Sequence, residues 1–329
     1  MLSRILQPLV KKQTLKVTML GHSGVGKTSL LCAMYDQFDQ IIGKTNLQLT
    51  PDHDTKTILD QRLKQLKESA QQNSIKIRGG LENTTTARTY NFDLGKTGQS
   101  PSLELQFQDY HGGYILRKKE TVINYIKESV AIIIAIDTPA LMENNSRWHE
   151  ELNQPQIIYD LFKSGFAELD SPKLVIFAPV KCEKYLRKSN DEEELVTKIQ
   201  KKYSNLLNFF CSDALVPYVA AVMTPVETLG SVDFAYIEED ENGQPIWFFR
   251  KSDPNELYKP KNSDQPLRYL LRFLLKLHLQ KRKMSFIELI FIMMERDKTF
   301  LNAMSEFSNG CKNNRAFTVF QGENLLRIN

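Results

Sequence analysis

Between Gly21 and Thr28 the chain reads GHSGVGKT, a full match to G-x-x-x-x-G-K-[ST], with an apolar run at 15–20 before it and a segment of helical spacing after it. That arrangement is a phosphate-binding loop. Glycine is needed at these positions because the backbone must wrap closely round a phosphate with successive N–H groups pointing inward, in conformations that a side chain blocks. Lys27 brings a mobile positive charge for the β and γ phosphates, and Thr28 a hydroxyl for Mg²⁺. The residues expected to line the loop are Gly21, His22, Ser23, Gly24, Val25, Gly26, Lys27, Thr28 and Ser29. A chance match in a chain this long is on the order of one per cent.

Composition sets loose bounds. The chain has 329 residues, 41% hydrophobic and 25% charged, enough for one large or two modest domains with a sizeable core. Its 43 basic and 39 acidic residues leave +4, too small a balance to imply a nucleic-acid or membrane partner, and no nucleic acid is expected. Cys32, Cys182, Cys211 and Cys311 are scattered without C-x-x-C spacing, so neither a zinc site nor a disulfide framework is indicated and a reducing cytoplasm is expected. At the start, Arg4 and Pro8 interrupt Leu2, Ile5, Leu6, Leu9 and Val10 before a secretory apolar core develops. Residues 1–14 read instead as a short amphipathic segment that docks on its own domain or touches lipid or a partner. The most continuous apolar run, 130–136, has the length of a buried strand, so no transmembrane span is expected.

Apolar runs predict strands at 15–20, 89–94, 103–108, 130–136, 174–179 and 216–222. Tyr90, Phe92 and Leu94 alternate with polar neighbours, as do Leu103, Leu105 and Phe107, which predicts an antiparallel pair joined around 95–101. Helices are expected over 28–38, 118–128, 148–163, 191–210 and 267–281. This order, with one antiparallel strand, resembles the Ras-like P-loop NTPase arrangement: an α/β fold with a mostly parallel six-stranded sheet and helices on both faces. The expected domain spans 15–281, with an insertion at 39–84 and a hairpin at 232–250. The insertion carries a charged helix at 55–72 and reads as a lid, a partner surface or a solvated connector. The hairpin places Phe234, Tyr236, Ile246, Phe248 and Phe249 around an Asn242–Gly243 turn. Residues 282–329 form a C-terminal extension. Its apolar segment 284–294 needs burial on the domain or in an oligomer or partner, and a polar tail follows from Glu295.

Asp109 ends the third strand and opens DYHGG, so Asp109 and Gly112 fit D-x-x-G: the carboxylate holds the Mg²⁺ water shell and the glycine N–H meets the γ phosphate. Thr84, Thr85 and Thr86 precede the second strand, where a threonine completes the metal shell; Thr85 is taken as that ligand, with Thr86 equally spaced. After the fifth strand, a Ras-like GTPase carries N-K-x-D for the guanine base, and here the segment is PVKCEKY. Lys181 fits the lysine, Glu183 replaces the aspartate with one more methylene, and Val180 stands where the asparagine would be. Gly113 takes the place of the water-orienting glutamine, while His111, one residue early, is the candidate to orient water. Arg88 and Arg117 are candidate cations. His53, between Asp52 and Asp54, does not make a metal site on a loop without fixed geometry. The basic run 276–283 reads as a solvated helix end.

Together GHSGVGKTSLL (21–31), DYHGG (109–113), APVKCEKY (178–185) and TPVETLGSVDF (224–234) resemble the TRAFAC class of GTPases, more narrowly the bacterial double-GTPase and GTPase-associated conflict-system domains. The resemblance covers roughly 15–281. It implies a cytoplasmic module that takes GTP or GDP with Mg²⁺, hydrolyses GTP slowly without help, and acts with a protein partner or as a homo-oligomer, in phage defence. A nucleotide-binding interaction module without useful hydrolysis, and a small-molecule kinase or ATPase, are the alternatives.

Overall fold

The computed structural model describes residues 14–78, 88–110, 118–251, 253–280 and 297–328, with the backbone alone at 41–45. The apolar runs become a mostly parallel sheet sandwiched between helices. β1 (Thr14–Leu20) lies between β5 (Leu103–Asp109) and β6 (Ala131–Asp137), parallel to both. β7 (Lys173–Val180) and β8 (Val219–Met223) continue the parallel series. β4 (Arg88–Lys96) runs antiparallel to β5, as the alternation of the two segments predicts. Every residue of β6 and β7 is buried, which is why both read as unbroken apolar runs.

The sheet has eight strands rather than six, in the order β11-β8-β7-β6-β1-β5-β4-β2. Both outer strands come from segments in which no strand was expected. β2 (Leu47–Pro51) belongs to the insertion and pairs antiparallel with β4. β11 (Thr318–Gln321) belongs to the tail and pairs antiparallel with β8.

On one face pack α1 (Lys27–Thr45), α2 (His53–Gln71), α9 (Gln265–Leu279) and α10 (Lys298–Ser308), contributing Leu30, Phe38, Leu59, Leu66, Phe273, Phe300 and Phe307 to one cluster. On the other pack α3 (Lys119–Glu128), α4 (Thr138–Met142), α6 (Pro155–Gly165), α7 (Ser189–Lys202) and α8 (Ser204–Phe210), around Ile126, Leu141, Phe162, Ile199 and Phe210. The helix expected over 148–163 is broken into α5 (His149–Leu152) and α6, because Gln154 adopts φ 48° and Pro155 opens the second helix, where its missing N–H is harmless. The helix expected over 191–210 divides at Tyr203.

The hairpin forms as β9 (Val232–Glu239) and β10 (Pro245–Lys251), turning at Gly243 with φ 72°. A third strand, β3 (Ser74–Arg78), joins from the end of the insertion to make a separate antiparallel sheet, β3-β10-β9. Its inner face packs Ile75, Phe234, Trp247 and Phe249 against Ala140, Trp148 and Tyr185. The small sheet therefore sits over α4 and the segment after β7. The expected amphipathic segment 1–14, all but Thr14, and the apolar segment 284–294 lie outside the described residues. Among the described residues no helix is long and apolar enough to cross a membrane.

Candidate functional site

The loop between β1 and α1 is threaded tightly against the neighbouring strand ends. Gly21 has φ 142°, and a Cβ there would lie 2.9 Å from the Ala135 carbonyl oxygen of β6. Gly26 has φ 118°, and its Cβ would lie 3.3 Å from Val180 Cγ2 at the end of β7. Both conformations favour glycine, and at Gly21 the backbone contact leaves no room for a Cβ. Gly26 is also the N-cap of α1, which begins without a side-chain cap and without an acidic residue in its first turn. The N–H groups of a 19-residue helix thus face the loop with the positive end of the helix dipole behind them, the usual setting for an anion.

Lys27, 6% exposed, folds its ammonium back over the loop, donating to the Gly21 carbonyl at 2.8 Å and the His22 carbonyl at 3.2 Å. Burial lowers its pKa from the ordinary lysine value, and the Asp109 carboxylate, 3.8 Å away, opposes that shift. Thr28 Oγ1 donates to Asp109 Oδ2 at 2.7 Å. Asp109 is buried at the end of β5, and among the described residues its Oδ1 accepts no hydrogen bond. A buried carboxylate oxygen with no donor among the described residues, beside a threonine hydroxyl, offers two hard oxygen ligands of the kind that suit Mg²⁺. The Thr28 hydroxyl and the Asp109 carboxylate are the groups that would hold it. Nearby, His22 Nδ1 donates to the Ser23 carbonyl at 2.8 Å, and Arg88 of β4 stands directly opposite Asp109 in the ladder.

On the other flank of the loop, Lys181 follows β7 in a left-handed conformation, φ 61°. Its ammonium is ion-paired with Asp137, reaches the Gly24 carbonyl at 3.4 Å, and lies 5.7 Å from the centre of the Trp247 ring. Asp137 is held from several sides. Its Oδ1 caps α4 by accepting from Ala140 N at 2.9 Å, and Asn153 brackets its backbone with bonds of 2.7 and 3.1 Å. Glu183 is buried, and its Oε1 accepts from Leu229 N at 2.8 Å and Gly230 N at 3.2 Å. Burial pushes its carboxyl up to about 7, against those two N–H groups, which pull it down. The segments PVKCEKY and TPVETLG, read separately in the sequence, are thereby tied together. Val180 makes no polar contact with its side chain and serves instead as the surface on which Gly26 packs.

The structure thus brings Gly21, Gly24, Gly26, Lys27, Thr28, Asp109, Lys181 and Glu183 to one end of the sheet, with His22, Ser23, Val25 and Ser29 in the same loop and helix start. His111, Gly112, Gly113, Arg117 and Thr84, Thr85 and Thr86 lie outside the described residues. His53 begins α2 behind Asp52, whose carboxylate caps the helix by accepting from Thr55 N at 2.8 Å. No group of three His, Cys, Asp or Glu residues able to hold a metal is found among the described residues, and all four cysteines are free. Sequence reasoning missed Asp137, Asn153 and Trp247. Asp137 carried a signal, since an Asp followed by Thr-Pro after an apolar strand is a helix N-cap pattern. Asn153 and Trp247 carried none, because they reach the site only through the packing of α5 and β10.

No family model matches the chain, and no curated protein matches it. Among solved structures, the crystal structure of sup35 complexed with GDP superposes on 68% of this chain and 40% of that one, at 12% identity and a TM-score of 0.31. The match spans well under half of that protein, and a likeness this slight bears no weight for function.

Proposed function

We propose that the chain is a Mg²⁺-dependent guanine-nucleotide-binding switch protein with slow intrinsic GTP hydrolysis, built on a Ras-like domain at 15–281 and acting with a protein partner or a second copy of itself in a bacterial defence system. The observation that carries this reading is the assembled group of Lys27, Thr28 and Asp109 at the mouth of an uncapped helix. The run β8-β7-β6-β1-β5-β4 with β4 reversed supports the Ras-like arrangement. Guanine rather than adenine is supported by Lys181, which lies along the loop at the Gly24 carbonyl, and by Glu183 beside it.

With a triphosphate in place, the Lys27 ammonium exchanges the Gly21 and His22 carbonyls for β and γ oxygens, and the first N–H groups of α1 meet the phosphates. Mg²⁺ supplies neutralisation of the phosphate charge when bound at Thr28 and Asp109. Water attacks the γ phosphate in line, with the developing charge stabilised by Lys27 and backbone donors. Turnover is slow because Gly113 stands where a glutamine would orient that water. The same absence favours the second reading, a module that holds nucleotide to recruit partners without useful hydrolysis.

Calorimetric titration of GTP, GDP and ATP in Mg²⁺ tests the proposal. GTP and GDP should bind and ATP should bind more weakly, and Lys27→Ala should weaken GTP by ~10-fold or more, as expected for loss of a charge-assisted contact. Equal affinity of Lys27→Ala and the parent chain would remove the phosphate-loop assignment. A preference for ATP would leave the loop and remove guanine. Single-turnover phosphate release then separates the switch from the binding module.

A further inference from the structure

We infer that a second anion site, for a small phosphate-bearing molecule, lies between the segment after β7 and the β9–β10 hairpin. A cavity of about 580 Å³ is lined there by Lys184, Arg187, Asp233, Phe234, Arg250 and Lys251. Four cations face it. Asp233 is ion-paired with Arg187, and Glu143 with Lys184 at 2.7 Å, which leaves a surplus of two positive charges carried by Arg250 and Lys251. Arg250 is exposed, and Lys251 spends one donor on the Pro254 carbonyl at 3.1 Å.

Arg250 and Lys251 end β10, while Lys184 and Arg187 stand in the turns between β7 and α7. In the ladder Arg250 stands opposite Asp233, Lys251 opposite Val232 and Phe249 opposite Phe234. Phe234 gives the cavity an apolar wall, fixed edge-to-face on Phe249 at 5.9 Å and covered by the Lys184 ammonium at 5.2 Å. A surplus of two charges matches the dianion of a phosphomonoester near neutral pH, and a guanidinium presents the paired donors that phosphate oxygens accept. The volume falls within the few hundred to about 1,000 Å³ typical of small-molecule pockets, which favours a ligand of nucleotide size or less. None of the six residues belongs to the phosphate loop, so the site does not depend on the nucleotide reading.

The test titrates inorganic pyrophosphate, in metal-free buffer, into the full chain carrying Lys27→Ala, which weakens the phosphate loop as a competing site. Tryptophan emission is the readout, because both tryptophans of the chain, Trp148 and Trp247, pack in the cluster behind the hairpin; Trp247 also lies 5.7 Å from Lys181, so the cavity variants below assign the change. The expected result is a saturable change that weakens with added salt, and whose midpoint rises ~10-fold or more with Arg250→Glu at an unchanged melting temperature. Lys251→Met provides the second variant should Arg250→Glu melt early, and a several-fold rise is expected for it. No saturation by about 10 mM pyrophosphate, or midpoints unchanged in both variants, overturns the site.

Discussion

Glu183 is the residue whose protonation makes the segment after β7 sensitive to pH. Its folded pKa, about 7, lies above the ordinary value of 4.5, so the native state holds a proton that the unfolded chain gives up. The stabilisation is present in full below 4.5 and is lost as pH rises through 7. The shift corresponds to about 3 kcal/mol at alkaline pH. Glu183→Gln, which keeps an acceptor for Leu229 N and Gly230 N, should therefore raise stability at pH 8.5 by about 2 kcal/mol and have little effect at pH 5, measured by urea denaturation. Nucleotide binding should show the opposite trend. A carboxylate is needed to accept from guanine N1 and N2, so GTP affinity should fall as pH drops from 8 to 6 in the parent chain, and this slope should vanish in Glu183→Gln. A flat affinity profile in the parent would show that Glu183 only ties the 229–230 backbone and does not read the base.

At the scale of elements, the insertion and the tail belong to the framework. α2 is charged on most of its surface, yet Thr55, Leu59, Leu66 and Ala70 make one buried stripe. Its start is bonded to β4: Asn91 N donates to Thr55 Oγ1 at 2.9 Å and Asn91 Nδ2 to Asp52 Oδ2 at 3.0 Å. A lid would tolerate truncation of that stripe. Here Leu59→Ala should destabilise the chain by about 3 kcal/mol, because Leu59 is fully buried and the surrounding layer cannot collapse onto the gap. Phe300→Ala in α10 should also destabilise it, by about 3–5 kcal/mol. A loss under about 1 kcal/mol at either position would make that helix an appendage.

These elements also show what could be read from the chain and what could not. GHSGVGKT was legible because its backbone demands are local, and Asp109 because it ends an alternating strand next to the loop. Phe300, Met304 and Phe307 form a buried helical stripe that the sequence did carry, masked by the polar residues around it. β2, β3 and β11 were illegible for another reason. Each is four or five residues long and becomes a strand only because an existing edge offers it partners.

For the whole molecule, the consequence is that both margins of the main sheet are finished by segments outside the minimal fold, β2 at one side and β11 at the other. Open strand edges invite pairing with other chains, and short edge strands, here of five and four residues, are one way a sheet limits it. The C-terminal segment does two things at once. β11 covers β8, while α10 covers α1 and α9: Phe307 lies 5.2 Å from Phe38, and Arg268 stacks 4.2 Å over the Phe307 ring. α1 is the helix whose other end meets the Gly21–Thr28 loop, so its bed and the proposed nucleotide site share one element. Removing residues 297–329 should therefore bare an apolar helix face and turn the fully buried β8 into the edge strand, producing aggregates on size-exclusion chromatography and a dye-binding species in place of the native monomer or oligomer peak. Nucleotide binding should be lost with it, since the amide groups of the loop are held only as firmly as α1 is. A truncated chain that stays monodisperse and melts where the full chain does would show that the sheet is complete without β11 and that α1 needs no cover from α10.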